Sequence, residues 1–285
     1  MKEFQKIIKY ASIAFGLYLA VSIIGGIVAI VVSIFTGIYG VNYLTDNLQD
    51  ALKSNDSNVE IIDENQELEQ FSKMKLEIST ANLTVKSEGN SYRVEKYQIP
   101  KNTKIESKDG VLEIKNEKIF NKNDSKSSIT VYIPENIELD DVAIEIGAGT
   151  VNIAEIKAKN VDFDFGAGNV ELENISVNNN TKIQCSAGQV IIKKSELTNA
   201  NIDAGVGKLS YLGELKGNSK ISCGVGSVQL DLIGDSDMYE IHAEKGIGDI
   251  KIDDVSVADN STTGNGENKI NIEGGVGSVD IKLHG

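Results

Sequence analysis

Oxygen-bearing side chains recur at one place in a repeated phrase of this 285-residue chain. Glu145, Asp164, Gln184, Asp203, Ser222, Glu244 and Glu273 each stand two residues before the first small residue of a Gly-x-Gly-like segment. Carboxylates stacked on neighbouring strands suit a hard cation, because Ca²⁺ takes its ligands from several oxygens at once. Glu145, Asp164, Glu244 and Glu273 are therefore the candidate Ca²⁺ ligands. Gln184 and Ser222 interrupt the row, and Lys182 and Lys220 share its face, as on an ordinary solvated surface. Gly274-Gly-Val-Gly-Ser-Val-Asp280 approaches a calcium-binding β-roll phrase, but its Asp comes one residue late and its period is near 19.

Other chemistries find less to work with. The chain has no Trp, two His, two Cys, two Pro and a single Arg, Arg93. His242 and His284 are isolated, and no Ser or Cys stands at nucleophile-elbow spacing. The Gly-x-Gly segments lead into alternating strands, without the helix and the Gly-Lys-Ser/Thr that a phosphate loop needs, so no nucleotide cofactor is expected. The polysaccharide-cleaving chemistry of some β-helices calls for carboxylates with basic groups, and aromatic sugar platforms are scarce: Tyr211 reads as inward and Tyr239 as a lone return-arc residue.

The elements that position these residues follow from the repeat. The last glycine of the phrase falls at Gly149, Gly168, Gly188, Gly207, Gly226, Gly248 and Gly277, in steps of 19, 20, 19, 19, 22 and 29 residues. Seven copies call for one structural cause, a supersecondary unit stacked many times. Before the corner, Ile144, Phe163, Ile183, Ile202, Ile221, Ala243 and Ile272 read as inward, and so do Ala148, Ala167, Ala187, Val206, Val225, Ile247 and Val276 between the glycines. Beyond it, Val151, Val170, Val190, Leu209, Val228, Ile250 and Val279 take the opposite parity. A strand changes parity only through a bend or bulge, so each Gly-x-Gly is a corner. The second glycine has no exception while Ser186 replaces a first one, which places the stricter backbone demand on the second. The expected fold is all-β, a single-stranded right-handed parallel β-helix or β-solenoid with coils of about 19–20 residues. Cys185 and Cys223 fall at the same inward position two coils apart, roughly 9.6 Å at strand spacing, too far for a disulfide.

The anchor reads as clearly as the repeat. No charge lies between Lys9 and Asp46, and Ala11–Tyr39 alone would span about 43 Å as a helix, enough to cross a bilayer. A cleavable signal peptide would have a shorter apolar region and a small-x-small site. Residues 1–45 carry net +2, leaving −16 of the total −14 for the rest, so the basic end stays cytoplasmic and the acidic part outside. An acidic exterior excludes nucleic acid as a partner. Gly25, Ala29, Ser33 and Gly37 recur at a spacing that suits helix pairing.

The expected organisation is a cytoplasmic N-terminus (1–10), a transmembrane helix (11–40), an acidic linker or stalk with a helical first part (41–72), degenerate coils (73–140) and regular coils (141–285). The degenerate copies are Lys75–Val85, with Asn82 replacing the last glycine, and Lys104–Ile114; residues 257–267 read as a surface loop. With its basic start, one span and phrases such as Phe163-Asp-Phe-Gly-Ala-Gly-Asn-Val-Glu-Leu172, the chain resembles the bacterial membrane-anchored β-strand-repeat family of "putative adhesins", a domain of unknown function. The resemblance implies a right-handed β-helix at the outer face of a bacterial membrane, in a family associated with envelope stress, and brings no catalytic residues. The expected function is a non-enzymatic cell-envelope scaffold, adhesin-like or interaction module that binds a protein or cell-wall polymer. The alternative is a sensory or regulatory ectodomain, and a carbohydrate-active enzyme ranks last. A final copy ending at Gly285 would leave open strand edges for a partner or for self-association.

Overall fold

The computed structural model describes residues 60–116 and 127–285, all within the compact unit Val59–Gly285; the other unit, Met1–Asn58, lies outside them. So do the expected membrane helix 11–40, its small-residue face and the first part of the stalk. Among the described residues there is no helix long and apolar enough to cross a membrane.

The described chain is all-β, with its strands joined in one 17-stranded sheet. Its centre is a run of long bent strands: β8 (Glu138–Ala154), β9 (Lys157–Glu173), β10 (Ser176–Thr198), β11 (Ala200–Lys216) and β12 (Asn218–Ile233). Each pairs in parallel with the next across the whole corner, as Ile144↔Phe163, Gly149↔Gly168 and Val151↔Val170 show for β8 and β9. Strand-forming β-branched residues alternate inward, and identical positions stack into ladders. Ile144, Phe163, Ile183, Ile202, Ile221 and Ile272 form one ladder, all at 1% exposure or less. Full burial of each such side chain contributes about 2 kcal/mol gross, opposed by the entropy of ordering the chain. Cys185 and Cys223 are free thiols in one inward ladder with Ala204 between them.

At the corners, the second glycines hold φ between 128° and 155°, whereas the first have no positive φ. A Cβ on Gly149 would run into the carbonyl oxygen of Ala81, and one on Gly277 into that of Gly226, so rungs stack at this distance only with bare backbone. The residue between the glycines points outward, against the expected inward phase: Val276 is 44% and Ile247 73% exposed. Ile146 before the corner and Val151 after it are both buried, so parity changes within the Gly-x-Gly itself, where the second glycine takes its positive φ.

Coil order in space departs from order in sequence at both ends. β17 (Asn268–His284), the last copy, lies between β12 on one side and β13 (Tyr239–Glu244) with β14 (Ile247–Ile252) on the other. The final copy is therefore not an open end. The outer coil is β13–β14, and it is flanked by antiparallel β15 (Val255–Ser256) and β16 (Ser261–Gly264). Residues 257–267, expected as a surface loop, thus include a strand that caps the stack.

The opposite end repeats this arrangement. β2 (Lys73–Thr80) and β3 (Asn82–Ser87) lie against β8, and β6 (Val111–Asn116) and β7 (Ser128–Ile133) lie outside them. The register Thr80↔Ala148 and Leu83↔Val151 sets Ala81, not Asn82, beside Gly149. Lys104–Ile114 is not a second coil. β5 (Lys104–Lys108) folds back on β6 as a hairpin through Asp109 and Gly110, both at positive φ. The later part of the expected stalk is β1 (Ile61–Glu67), antiparallel to β4 (Arg93–Pro100), which in turn pairs with β7.

Candidate functional site

With the interior filled by aliphatic ladders, chemistry is confined to the outward columns. The carboxylate column runs in spatial order Glu77, Glu145, Asp164, Gln184, Asp203, Ser222, Glu273, Glu244. A shallow groove over its first part is lined by Lys75, Glu77, Glu145, Asp162, Asp164 and Lys182, so both signs of charge line it.

Lysines compensate much of this face. Lys75 and Lys115 pair with Glu77 at 2.6 and 3.2 Å and hold its carboxyl below the usual range. Lys220 lies 2.6 Å from Glu273, which also accepts from Ser222 Oγ, and lowers it in the same way. Lys182 bonds Asp162 at 3.1 Å. The four candidate Ca²⁺ ligands fall into two separated pairs, Glu145 with Asp164 and Glu273 with Glu244, the Lys220 ammonium already engaging the second. Among the described residues no group of three or more His, Cys, Asp or Glu converges as a metal site would require.

Each histidine sits beside a carboxylate on the surface: His242 has Thr262 Oγ1 3.1 Å from Nδ1 and Glu244 3.5 Å from Nε2, and His284 Nε2 is 3.2 Å from Asp231. The single arginine is used structurally. Arg93 stacks 3.5 Å from the Tyr132 ring centroid and pairs with Glu95, which accepts the Tyr132 hydroxyl at 2.9 Å. Tyr211 is inward as expected, its hydroxyl donating to the Ser195 and Glu214 carbonyls, and burial pushes it well above its ordinary pKa. Tyr239 is also fully buried, not a lone arc residue; it donates to the Ile233 carbonyl at 2.7 Å, and burial pushes its pKa up to about 12.

Two outward features were not read from the sequence. Asparagines at a turn bond from rung to rung: Asn160 Nδ2 to Asp141, Asn180 Nδ2 to Asn160 Oδ1, and the Asn218 amide to Asn199 Oδ1. Their spacing of 20, 19 and 19 residues is the signal that marks them. The other feature is the corner ridge, in spatial order Thr80, Ala148, Ala167, Ala187, Val206, Val225, Val276, Ile247. From Ala148 onward its side chains grow toward the β13–β14 end, and a row of glycine flanks most of it on either side.

Several solved structures are similar to this chain at low identity. A protein from Clostridium sporogenes described as a "putative cell adhesion protein" is 17% identical over 79% of this chain and 100% of its own, with a TM-score of 0.38. A "putative adhesin" from Bacteroides fragilis is 17% identical over 79% and 98%, with a TM-score of 0.31. A "putative lipid binding protein" from Parabacteroides distasonis is 14% identical over 79% and 97%, with a TM-score of 0.26. Identities and scores this low carry nothing about activity. No curated protein matches the chain. The family model described as Toastrack DUF4097, a domain of unknown function, matches residues 51–282, and the chain belongs to that family.

Proposed function

We propose that this chain is a membrane-anchored, extracytoplasmic β-solenoid that serves as a non-enzymatic interaction scaffold of the bacterial cell envelope. The observation that carries this reading is the repetition of the outer surface. The same positions recur through each corner on every parallel rung from β8 to β12, the register shifting only outside it at Val177/Asn180 and Ile192/Ser195, so any group on the corner face is offered many times at about 4.8 Å spacing. Such a surface suits a partner that is itself extended, a protein or a wall polymer, gripped by many weak contacts. The coils form a right-handed, single-stranded β-helix in this reading. The charge-free run Ala11–Tyr39 behind Lys2, Lys6 and Lys9 supports the anchor and its orientation, with the N-terminus inside.

Capture from intact cells tests the function. The full chain crosslinked in place should retain an envelope protein or wall fragment that a chain lacking residues 60–285 does not retain. Recovery of the same partners by both chains refutes the scaffold role. Separately, the chain should stay with membranes after alkaline extraction, and externally added protease should remove the repeat domain.

A further inference from the structure

The corner ridge has an unpaired charge on each side of it. Val206, Val225, Val276 and Ile247 occupy four consecutive rungs, and the last two are the more exposed at 44% and 73%. Val206 and Val225 are half-buried, so the ridge rises to two adjacent exposed β-branched side chains at its outer end, and apolar surface of this kind on a soluble face marks an interaction site. On strand β11, Asp203 stands three residues before Val206 and Lys208 two residues after it. Neither has an ion-pair partner in its own chain among the described residues, where most other lysines of the stack do.

We propose that the ridge is a seam for a second copy of this chain, docked side by side about a two-fold axis parallel to the stack. Three observations select that occupant. The ridge repeats at the rung spacing of about 4.8 Å, and only another parallel stack keeps step with it over many rungs; an α-helix repeats near 5.4 Å. A two-fold axis along the stack keeps every rung at its own height and sets the side before the corner against the partner's side after it. Asp203 then faces the partner's Lys208, and Lys208 the partner's Asp203.

Shape gives the same register as charge. Asp203 and Lys208 meet when the two ridges are offset by one residue, about 3.3 Å. That offset lays each ridge over the other's row of first glycines, Gly205, Gly224, Gly275 and Gly246, a groove floored by bare backbone. At the outer rung, where Glu244 would face the partner's Asp249, Lys245 already pairs with Asp249 at 2.7 Å.

The seam is narrow. Seven rungs by two to three residues give about 34 by 8 Å, roughly 300 Å² per partner, well below the ~800 Å² of a stable free dimer. Its strength therefore rests on the anchored reading above, since tethering in one membrane raises the effective concentration of copies that already share an orientation. Both stacks run the same way in this dimer, as two copies anchored at their N-termini would.

Cysteine crosslinking in intact cells expressing the full chain tests the seam, on a Cys185→Ala, Cys223→Ala background; Ala204 already occupies that ladder between them. Val276→Cys should give a disulfide-linked dimer, and Lys157→Cys, exposed and far from the corner, should not. Adding Asp203→Lys or Lys208→Asp should cut the Val276→Cys dimer about tenfold, and the two reversals together should restore it. No dimer at Val276→Cys, equal dimer at Lys157→Cys, or failure of the double reversal to restore it overturns the seam, wherever the chain is found. The anchor is judged independently, by whether the monomer sediments with membranes.

Discussion

The rule that the second corner glycine is bare because the rungs touch there can be tested at Gly207. This residue sits at φ 142°, and a Cβ on it would meet the carbonyl oxygen of Gly188 on the preceding rung. Gly207→Ala therefore carries two costs. An L-residue at that φ costs about 2 kcal/mol. Relieving the overlap parts β10 from β11 and weakens about two ladder hydrogen bonds, worth about 1 kcal/mol each. The stiffer unfolded chain returns about 0.7 kcal/mol. The net loss is about 3 kcal/mol, large for the removal of no contact at all. Gly205→Ser is the matched control: Gly205 has no positive φ, but a Cβ there would also lie 2.5 Å from the Ser186 carbonyl oxygen, so it carries the contact cost without the backbone cost, about 1 kcal/mol net of the stiffer unfolded chain. Urea unfolding followed by circular dichroism and tyrosine fluorescence, the chain having no Trp, reads both variants. Equal midpoints for Gly207→Ala and Gly205→Ser would refute the account, because the φ requirement of the second glycine would then contribute nothing beyond the close stacking that both positions share.

Side-chain burial gives a second contrast. Phe163→Ala, in the fully buried ladder, should cost about 3–5 kcal/mol, whereas Ile247→Ala on the ridge should stay within about 0.5 kcal/mol by the same urea assay. Stability should fall in acid: the carboxyls of Glu77, Asp141 and Glu273 titrate lower folded than unfolded, so what they contribute is present above about pH 4.5 and is lost as pH drops through their folded values. Thermal melting from pH 6 to 3 should show that loss, and Glu273→Gln should flatten it. In the alkaline direction Lys73, Lys75 and Lys220 titrate higher folded, so their contribution fades only above about pH 10.5. Cys185 and Cys223, whose thiols burial pushes up, should resist iodoacetamide at neutral pH until urea unfolds the chain. The melting temperature should not move in millimolar Ca²⁺, since the candidate carboxylates form separated pairs, one of them engaged by Lys220.

What the sequence made legible is what repeats. Inward ladders such as Ile183, Ile202 and Ile221 declare themselves by period two within a coil and period 19 between coils, and the parallel register follows. The outward turn of Val276 and Ile247 was hidden, because parity fixes which side of a strand a residue takes only while the strand is straight, and a glycine on each side of the residue leaves the site of the bend open. A local signal went unused at the N-terminal end: Asp109-Gly110 is a two-residue hairpin turn, which excludes Lys104–Ile114 from being a coil. The position of β17 was beyond any local signal. Its Gly-Gly-Val-Gly phrase fits against the β12 corner as well as the β13–β14 corner does, so periodicity alone cannot order the two copies. The cap decides it. β13 pairs with β17 on one edge and β16 on the other, and a coil that must accept an antiparallel cap has to be the outer one. The capping strands come from Val255–Gly264, which lies between the two copies in sequence, so the chain completes the end coil and its cap and then returns inward to lay β17 against β12. An open parallel edge is the hazard in any stack of this kind, and closing it with short antiparallel strands at both ends leaves the corner ridge, rather than the last rung, as the surface through which copies can meet.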